Sequence, residues 1–103
     1  MRIIAGVAKG RSLVSVAGAT RPTSDRAREA LFSSLISEFG EFENLKFLDL
    51  FAGSGAVGLE ALSRGAQLVH AVEKDESAIK TIRANQEIVE RANPAGKFHA
   101  FSM

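Results

Sequence analysis

The chain of 103 residues contains no cysteine, no tryptophan and no tyrosine, has two prolines, Pro22 and Pro94, and nowhere carries an apolar run of membrane-span length. Without cysteine, neither disulfides nor thiolate metal sites can stabilise the fold. Without a span-length run, and with an opening Met1-Arg2-Ile3-Ile4 too short for a signal peptide, the expected location is the cytoplasm, with no membrane partner. All seven aromatic residues are Phe and most fall on predicted core faces, so stacking of nucleic-acid bases has weak support. His70 and His99 lie in or beside predicted strands without metal-ligand spacing, and no metal is expected.

Hydrophobic residues make up 46% and charged residues 24%, which suits one α/β domain and excludes disordered or fibrous classes. The net charge of +1 hides an uneven distribution. Residues 1–28 carry six bases, Arg2, Lys9, Arg11, Arg21, Arg26 and Arg28, against the single acid Asp25, a balance of +5; the remainder has seven bases and eleven acids, a balance of −4. A basic arm of this kind suits contacts with RNA phosphates, which give salt-dependent affinity and little sequence choice. The alternative is a solvated surface in which Arg26 or Arg28 pairs with Asp25 or Glu29.

Two short β-prone runs flank Lys9-Gly10 in RIIAGVAKGRSLVSV, residues 2–16, predicting an N-terminal hairpin. Thr23-Ser24-Asp25 after Pro22 supplies a cap and a first-turn acid for a helix running to about Glu38, with Gly40 placed to end it. Its expected buried face is Ala27, Leu31, Leu35 and Phe39, with Phe32 and Ile36 beside them. The pattern then predicts strand 46–51, helix 55–64 closed by Arg64-Gly65, strand 68–73, helix 75–92 with an Ile79, Ile82 and Val89 stripe stopped at Asn93-Pro94, and a third strand from Lys97 to Phe101. Alternating strands and helices imply a parallel sheet. Strand 46–51 is apolar on both faces, as strands in mid-sheet are, yet only one flank follows it. The expectation is an N-terminal fragment with a bare strand edge; the alternative is a complete three-strand domain whose edge the hairpin or a second copy covers.

Residues 47–66, FLDLFAGSGAVGLEALSRGA, run from apolar strand through a glycine turn into a helix. Gly53, Gly55 and Gly58 fit GxGxxG and let backbone approach a ligand at a helix N-terminus, and Glu73 follows the first glycine by 20 residues, so a dinucleotide site is a candidate. Asp49 opposes that choice, because its carboxylate beside the turn repels a pyrophosphate and attracts an ammonium or sulfonium. It can equally serve only to bind loop amides. Glu73 suits the two hydroxyls of a ribose, or is a solvated strand-end charge within Glu73-Lys74-Asp75-Glu76. Two carboxylates at the ends of neighbouring parallel strands favour S-adenosylmethionine.

Four ordered blocks, RIIAG with the following KGR, RPTSDRAREALF, DLFAGSGAVGLEALSRGA and AVEKD, resemble the bacterial methyltransferases that modify a guanine exocyclic amine in small-subunit ribosomal RNA. The resemblance covers nearly the whole chain. It implies a class I S-adenosylmethionine-dependent methyltransferase (Rossmann-like) fold truncated to its first three parallel strands and preceded by a β-hairpin and helix, with residues 1–19 as basic hairpin and loop and 20–103 as the N-terminal half of the methyltransferase domain. It also implies cofactor contacts at Thr23, Asp49, Phe51, Ala52, Gly53, Gly55, Glu73 and Lys74, and ribosomal RNA or the small subunit as partner. The family carries an Asp/Asn-Pro-Pro-Tyr motif after its fourth strand to grip the target amine, and this chain has no Pro-Pro. The chain alone is therefore expected to be inactive. A dinucleotide-dependent oxidoreductase and a non-enzymatic RNA-binding fragment are the alternatives.

Overall fold

The computed structural model describes residues 1–16 and 24–103. In chain order the elements are α1 (Asp25–Phe39), β1 (Lys46–Asp49), α2 (Ala56–Ser63), β2 (Leu68–Glu73), α3 (Glu76–Glu90) and β3 (Lys97–Ser102). Local signals set most boundaries. Ser24 caps α1 by accepting a hydrogen bond from the Ala27 amide at 3.0 Å, Gly40 ends it at φ 74°, and Asp75 caps α3 through the Ser77 amide at 3.0 Å. Asn93, at φ 56° just before Pro94, turns the chain out of α3.

The three strands form one parallel sheet in the order β1-β2-β3. Phe47, Val69 and Phe98 stand in register across it, and this face packs beneath α2 and α3. Ile79, Ile82 and Val89 are all buried, as their spacing predicts. Gly58 permits the close approach of α2 to the sheet: a Cβ there would meet Val69 Cγ1 at 2.9 Å and Phe98 Cε2 at 3.2 Å. The opposite face is open among the described residues, with Leu48 64% and Phe101 42% exposed. On it His70 and His99 lie side by side, ring centroids 5.6 Å apart. β1 is shorter than the predicted 46–51 and, among the described residues, pairs on one side only, with Leu50 and Phe51 exposed beyond its end.

One expectation needs correction and a second is met in part. The buried stripe of α1 is Arg28 and Phe32 with half-buried Leu35, whereas Ala27, Leu31, Ile36 and Phe39 face outward. Phe32 seats the helix against Phe42 and Phe47, at centroid distances of 5.7 and 6.2 Å, and the Arg64 guanidinium lies 4.8 Å over its ring. The helix is rotated from its apolar pattern because Arg28, one turn before Phe32, is drawn inward to carboxylate partners. The N-terminal hairpin forms only at its ends: around an antiparallel Arg2–Ser12 bridge, Ile3 donates to the Arg11 carbonyl at 3.0 Å, Gly10 to the Ile3 carbonyl at 2.8 Å and Leu13 to the Met1 carbonyl at 2.8 Å. In the loop between, the Ile4, Ala5, Val7 and Ala8 amides have a different destination.

That destination is α2. The fully buried Glu60 accepts from the Ile4 and Ala5 amides at 2.9 and 3.1 Å. The Ser63 hydroxyl accepts from the Ala8 amide and donates to the Ala5 carbonyl, and the Ser63 carbonyl takes the Val7 amide at 2.8 Å. Gly6, at φ 90°, is what allows this approach, since a Cβ would fall 1.9 Å from the Ser63 carbonyl oxygen. Gly10, at φ 86°, has open space around it among the described residues. Gly6→Ala is therefore expected to destabilise the protein by at least about 3 kcal/mol, adding displaced amide bonds to backbone strain, while Gly10→Ala costs only the strain of about 1–2 kcal/mol. Urea unfolding of the two variants measures the difference; equal midpoints would show that the contact with Ser63 contributes nothing.

Candidate functional site

Parallel pairing brings Asp49 opposite Ala71, and Glu73 lies two residues further along β2. Residues two apart share a face of a strand, so Asp49 and Glu73 both emerge on the helix-covered side, above the turn that leads into α2. The turn is tight: Gly55 donates to the Ala52 carbonyl at 2.8 Å, Ala52 donates to the Val72 carbonyl at 3.1 Å, and Gly53 and Gly55 sit at φ 56° and 82°. Among the described residues, no atom lies within 4 Å of where a Cβ on Gly53 would stand. A ligand can thus reach the Gly53 backbone directly.

Glu73 holds this turn to the sheet. Its Oε1 accepts from the Gly53 amide at 2.9 Å, and its Oε2 accepts from the Asp75 and Lys74 amides at 3.0 and 3.1 Å. Donation from the Asp75 amide, then from Gly53, holds its carboxyl below the usual glutamate range, against the opposing effects of partial burial and the Asp75 charge. Asp49 is half-buried, and its Oδ1 accepts from the Phe51 amide at 3.1 Å. The Phe51 ring is 90% exposed, Ala52 is buried, and the Lys74 side chain is exposed. Thr23 lies outside the described residues. Two cavities open elsewhere in the fold, one of about 530 Å³ near Ile36, Phe42 and Arg64 and one of about 330 Å³ beside Arg2, Lys9 and Arg26.

The basic arm divides. Arg2, Lys9, Arg11 and Arg26 are exposed, and Arg21 lies outside the described residues. Arg28 is corrected from a surface cation to a structural one: it is fully buried, donates to Asp25 Oδ1 at 2.9 Å and to the Arg2 carbonyl, and its Nε stands 4.0 Å from Glu60 Oε1. No phosphate can reach it. Burial works to raise the Asp25 pKa, but the hydrogen bonds from the Arg28 side chain and the Arg2 amide, with the nearby positive charges, outweigh it and hold the carboxyl low.

Sequence reasoning overlooked Asn85. Buried in α3, its amide donates to the Ser54 carbonyl at 2.9 Å and the Val14 carbonyl at 2.8 Å, and its oxygen accepts from the Val14 amide at 2.7 Å. One side chain thereby braces the glycine turn against the N-terminal segment. The available signal was an uncharged polar residue on the Ile82–Val89 stripe, where burial demands hydrogen-bond partners.

Glu73 yields a pH-dependent outcome. A carboxyl whose folded pKa is depressed stabilises the fold above its ordinary range, and that stabilisation is lost as pH falls through the lowered value. Glu73→Gln is expected to cost about 1–2 kcal/mol at pH 7, with the gap from the wild type closing under acid conditions. Urea midpoints across the carboxylate range, with exchange rates of the Gly53, Lys74 and Asp75 amides, check this; a gap that stays constant with pH would show that the charge is not what holds the turn.

The family model described as conserved hypothetical protein 95 matches residues 1–102. A putative rRNA methyltransferase of Bacillus subtilis, YlbH, is 47% identical over 91 residues, covering 87% of this chain and 48% of that protein. Ribosomal RNA small subunit methyltransferase D of Escherichia coli K12 is 40% identical over 94 residues, covering 90% of this chain and 46% of the relative. Among solved structures, a hypothetical protein of Thermus thermophilus superposes with a TM-score of 0.83 at 36% identity, over 100% of this chain and 55% of its own. The putative methyltransferase yhhF of Escherichia coli gives 0.79 at 35% identity, over 99% and 51%. This chain spans about half the length of these relatives. It belongs to the conserved hypothetical protein 95 family, in which its relatives include the ribosomal RNA small subunit methyltransferases D.

Proposed function

We propose that the chain forms the cofactor-binding half of an S-adenosylmethionine-dependent methyltransferase acting on a guanine exocyclic amine of small-subunit ribosomal RNA. The carrying observation is the pairing of Asp49 and Glu73 at the ends of adjacent parallel strands, with Glu73 bonded to Gly53 of the turn between them. The chemistry of these groups fits the cofactor. Glu73 Oε1 has one amide donor and, as a carboxylate oxygen, retains capacity for a ribose hydroxyl. Asp49 offers negative charge to a cationic amino-acid tail, and the open Gly53 backbone admits close contact. Phe51, Ala52, Gly55 and Lys74 line the same turn, and Thr23 joins them by resemblance to the family. S-adenosylmethionine, when bound, supplies an electrophilic methyl group. The chain's own residues bind and orient; the Pro-Pro motif that would position the target amine is absent from the sequence, so no methyl transfer is expected from the chain alone.

Dinucleotide binding is the second reading, favoured by Gly58, whose close packing on Val69 and Phe98 is the role of the third glycine in that fingerprint. Asp49 separates the two. Asn at this position keeps one oxygen to accept from Phe51 and replaces the other with an uncharged NH2 donor, which removes the negative charge. Asp49→Asn is expected to weaken S-adenosylhomocysteine about 10- to 100-fold, the scale of a lost hydrogen bond between charged groups at roughly 1.5–3 kcal/mol. Calorimetry of both proteins with S-adenosylhomocysteine and NADH measures it. Binding of NADH in place of S-adenosylhomocysteine, strengthened in the variant, would sink the methyltransferase assignment.

A further inference from the structure

Three of the arm's cations converge. Arg2, Lys9 and Arg26 line one cavity of about 330 Å³, together with Asp25, Glu29 and the backbone of Gly10. Asp25 is shared: its Oδ1 takes the buried Arg28 at 2.9 Å and the Arg2 amide at 3.4 Å, and its Oδ2 stands 4.0 Å from the exposed Arg2 Nε. Among the described residues the lining carries three cationic side chains against Asp25 and Glu29, and because Arg28 behind the wall takes the closer contact with Asp25, the balance at the cavity is positive. The cavity is roomy, equal to about ten waters at roughly 30 Å³ each, and so large enough for a phosphodiester with part of its sugar. Arg11 is exposed but does not line it.

One wall of the cavity is tied to the glycine turn. Arg2 follows Met1, whose sulfur is 3.8 Å from the Ser54 hydroxyl between Gly53 and Gly55. Leu13 donates to the Met1 carbonyl at 2.8 Å, and Asn85 fixes the next residue, Val14, to the Ser54 carbonyl. The Arg2 side of the cavity is therefore joined to the turn, while the loop leading to Lys9 is bonded through Val7 and Ala8 to Ser63 at the other end of α2.

We infer that Arg2, Lys9 and Arg26 form a seat for a backbone phosphate of the RNA, holding one phosphodiester of the substrate strand on the N-terminal segment that Met1 and Val14 join to the turn assigned to the methyl donor. This rests on the RNA substrate proposed above and assigns unequal roles within the arm. Arg2, Lys9 and Arg26 take the phosphate, Arg28 organises the wall behind it through Asp25, and Arg11 adds only diffuse charge.

The test is fluorescence anisotropy with a labelled RNA hairpin at several KCl concentrations, using the wild type, Arg11→Ala and the double variant Lys9→Ala with Arg26→Ala. Both substituted side chains in the double variant are exposed, and its melting temperature is expected to match the wild type. Its RNA affinity should fall roughly tenfold or more, and the slope of log affinity against log salt should shrink by about one phosphate contact, near 0.7–0.9. Arg11→Ala should change both much less, and S-adenosylhomocysteine binding by calorimetry should be unchanged throughout. If the double variant keeps wild-type RNA affinity and slope while the wild type binds both RNA and S-adenosylhomocysteine, the seat is wrong and the methyltransferase assignment stands. If the wild type binds no RNA, the substrate assignment falls as well. Inorganic phosphate is the remaining arm: heat from phosphate in the wild type alone, with equal RNA affinities, assigns a free-anion site and overturns the proposal.

Discussion

The carboxylate of Glu60 is the constraint on which the arrangement depends. It is completely buried within α2, accepts hydrogen bonds from the Ile4 and Ala5 amides and from the Arg64 side chain at 2.9 Å, and has the Arg28 guanidinium as an ion-pair partner at 4.0 Å. A buried charge that loses its partners costs several kcal/mol, so each donor is held where the acid needs it. Ile4 and Ala5 bring the N-terminal segment onto the outer surface of α2. Arg28 brings in α1, and Arg64 carries the network to Phe32 by lying over its ring. The placement of α1, of the arm and of the cation-lined cavity follows from one acid with nowhere else to find partners.

Glu73 has a comparable role at the opposite end of the hierarchy, near the surface and, among the described residues, with backbone donors only. Three amides converge on it from two segments, the glycine turn and the start of the loop into α3. Its ionisation is favoured by those amides, whereas Glu60 is bonded to a side-chain cation, Arg64, as well as to amides. The difference suits their situations. A carboxylate held by amides keeps its negative charge uncancelled and can still attract a cation or accept from a hydroxyl, while one surrounded by guanidinium groups is electrostatically spent. Of the two organising acids, only Glu73 is chemically available to a ligand.

What the sequence made legible follows the range of the interactions. Ser24, Asp75, Gly40 and Pro94 act within a turn of their own positions, and the helix limits they imply agree with the fold to within a few residues. The strand ends carrying Asp49 and Glu73, the glycine turn and the Ile79–Ile82–Val89 stripe were equally readable, because period and spacing encode them directly. The illegible parts depend on partners far along the chain. The local pairing of Arg28 with Asp25 is among the readings of the sequence and is present at 2.9 Å; its complete burial is not legible until Glu60, 32 residues later, is placed beside it, and with that goes the rotation of α1. The N-terminal runs read as a hairpin and their ends pair as one, but nothing local shows that Glu60 and Ser63 will claim the amides of the loop between them. Asn85 is silent for the same reason, since its three bonds reach Val14 and Ser54 across 71 and 31 residues.

The core and the candidate site are consequences of a single register. Phe47 and Asp49 point to one face of β1, and Val69, Ala71 and Glu73 to the same face of β2, because strand side chains alternate with period two. Burying Phe47 and Val69 beneath α2 therefore obliges Asp49 and Glu73 to emerge beside the α2 turn. A slip of one residue would reverse every side chain, carrying Leu48 and Val72 to the turn and both acids to the open face, where Leu48, His70 and His99 now align. Gly58 locks the correct choice, since α2 can descend only onto the short Val69 side chain and the edge of the Phe98 ring. The hydrophobic contacts that stabilise the sheet and the carboxylate pair assigned to the cofactor are thus selected together, and a substitution that repacks Val69 or Phe98 acts on the site without touching it.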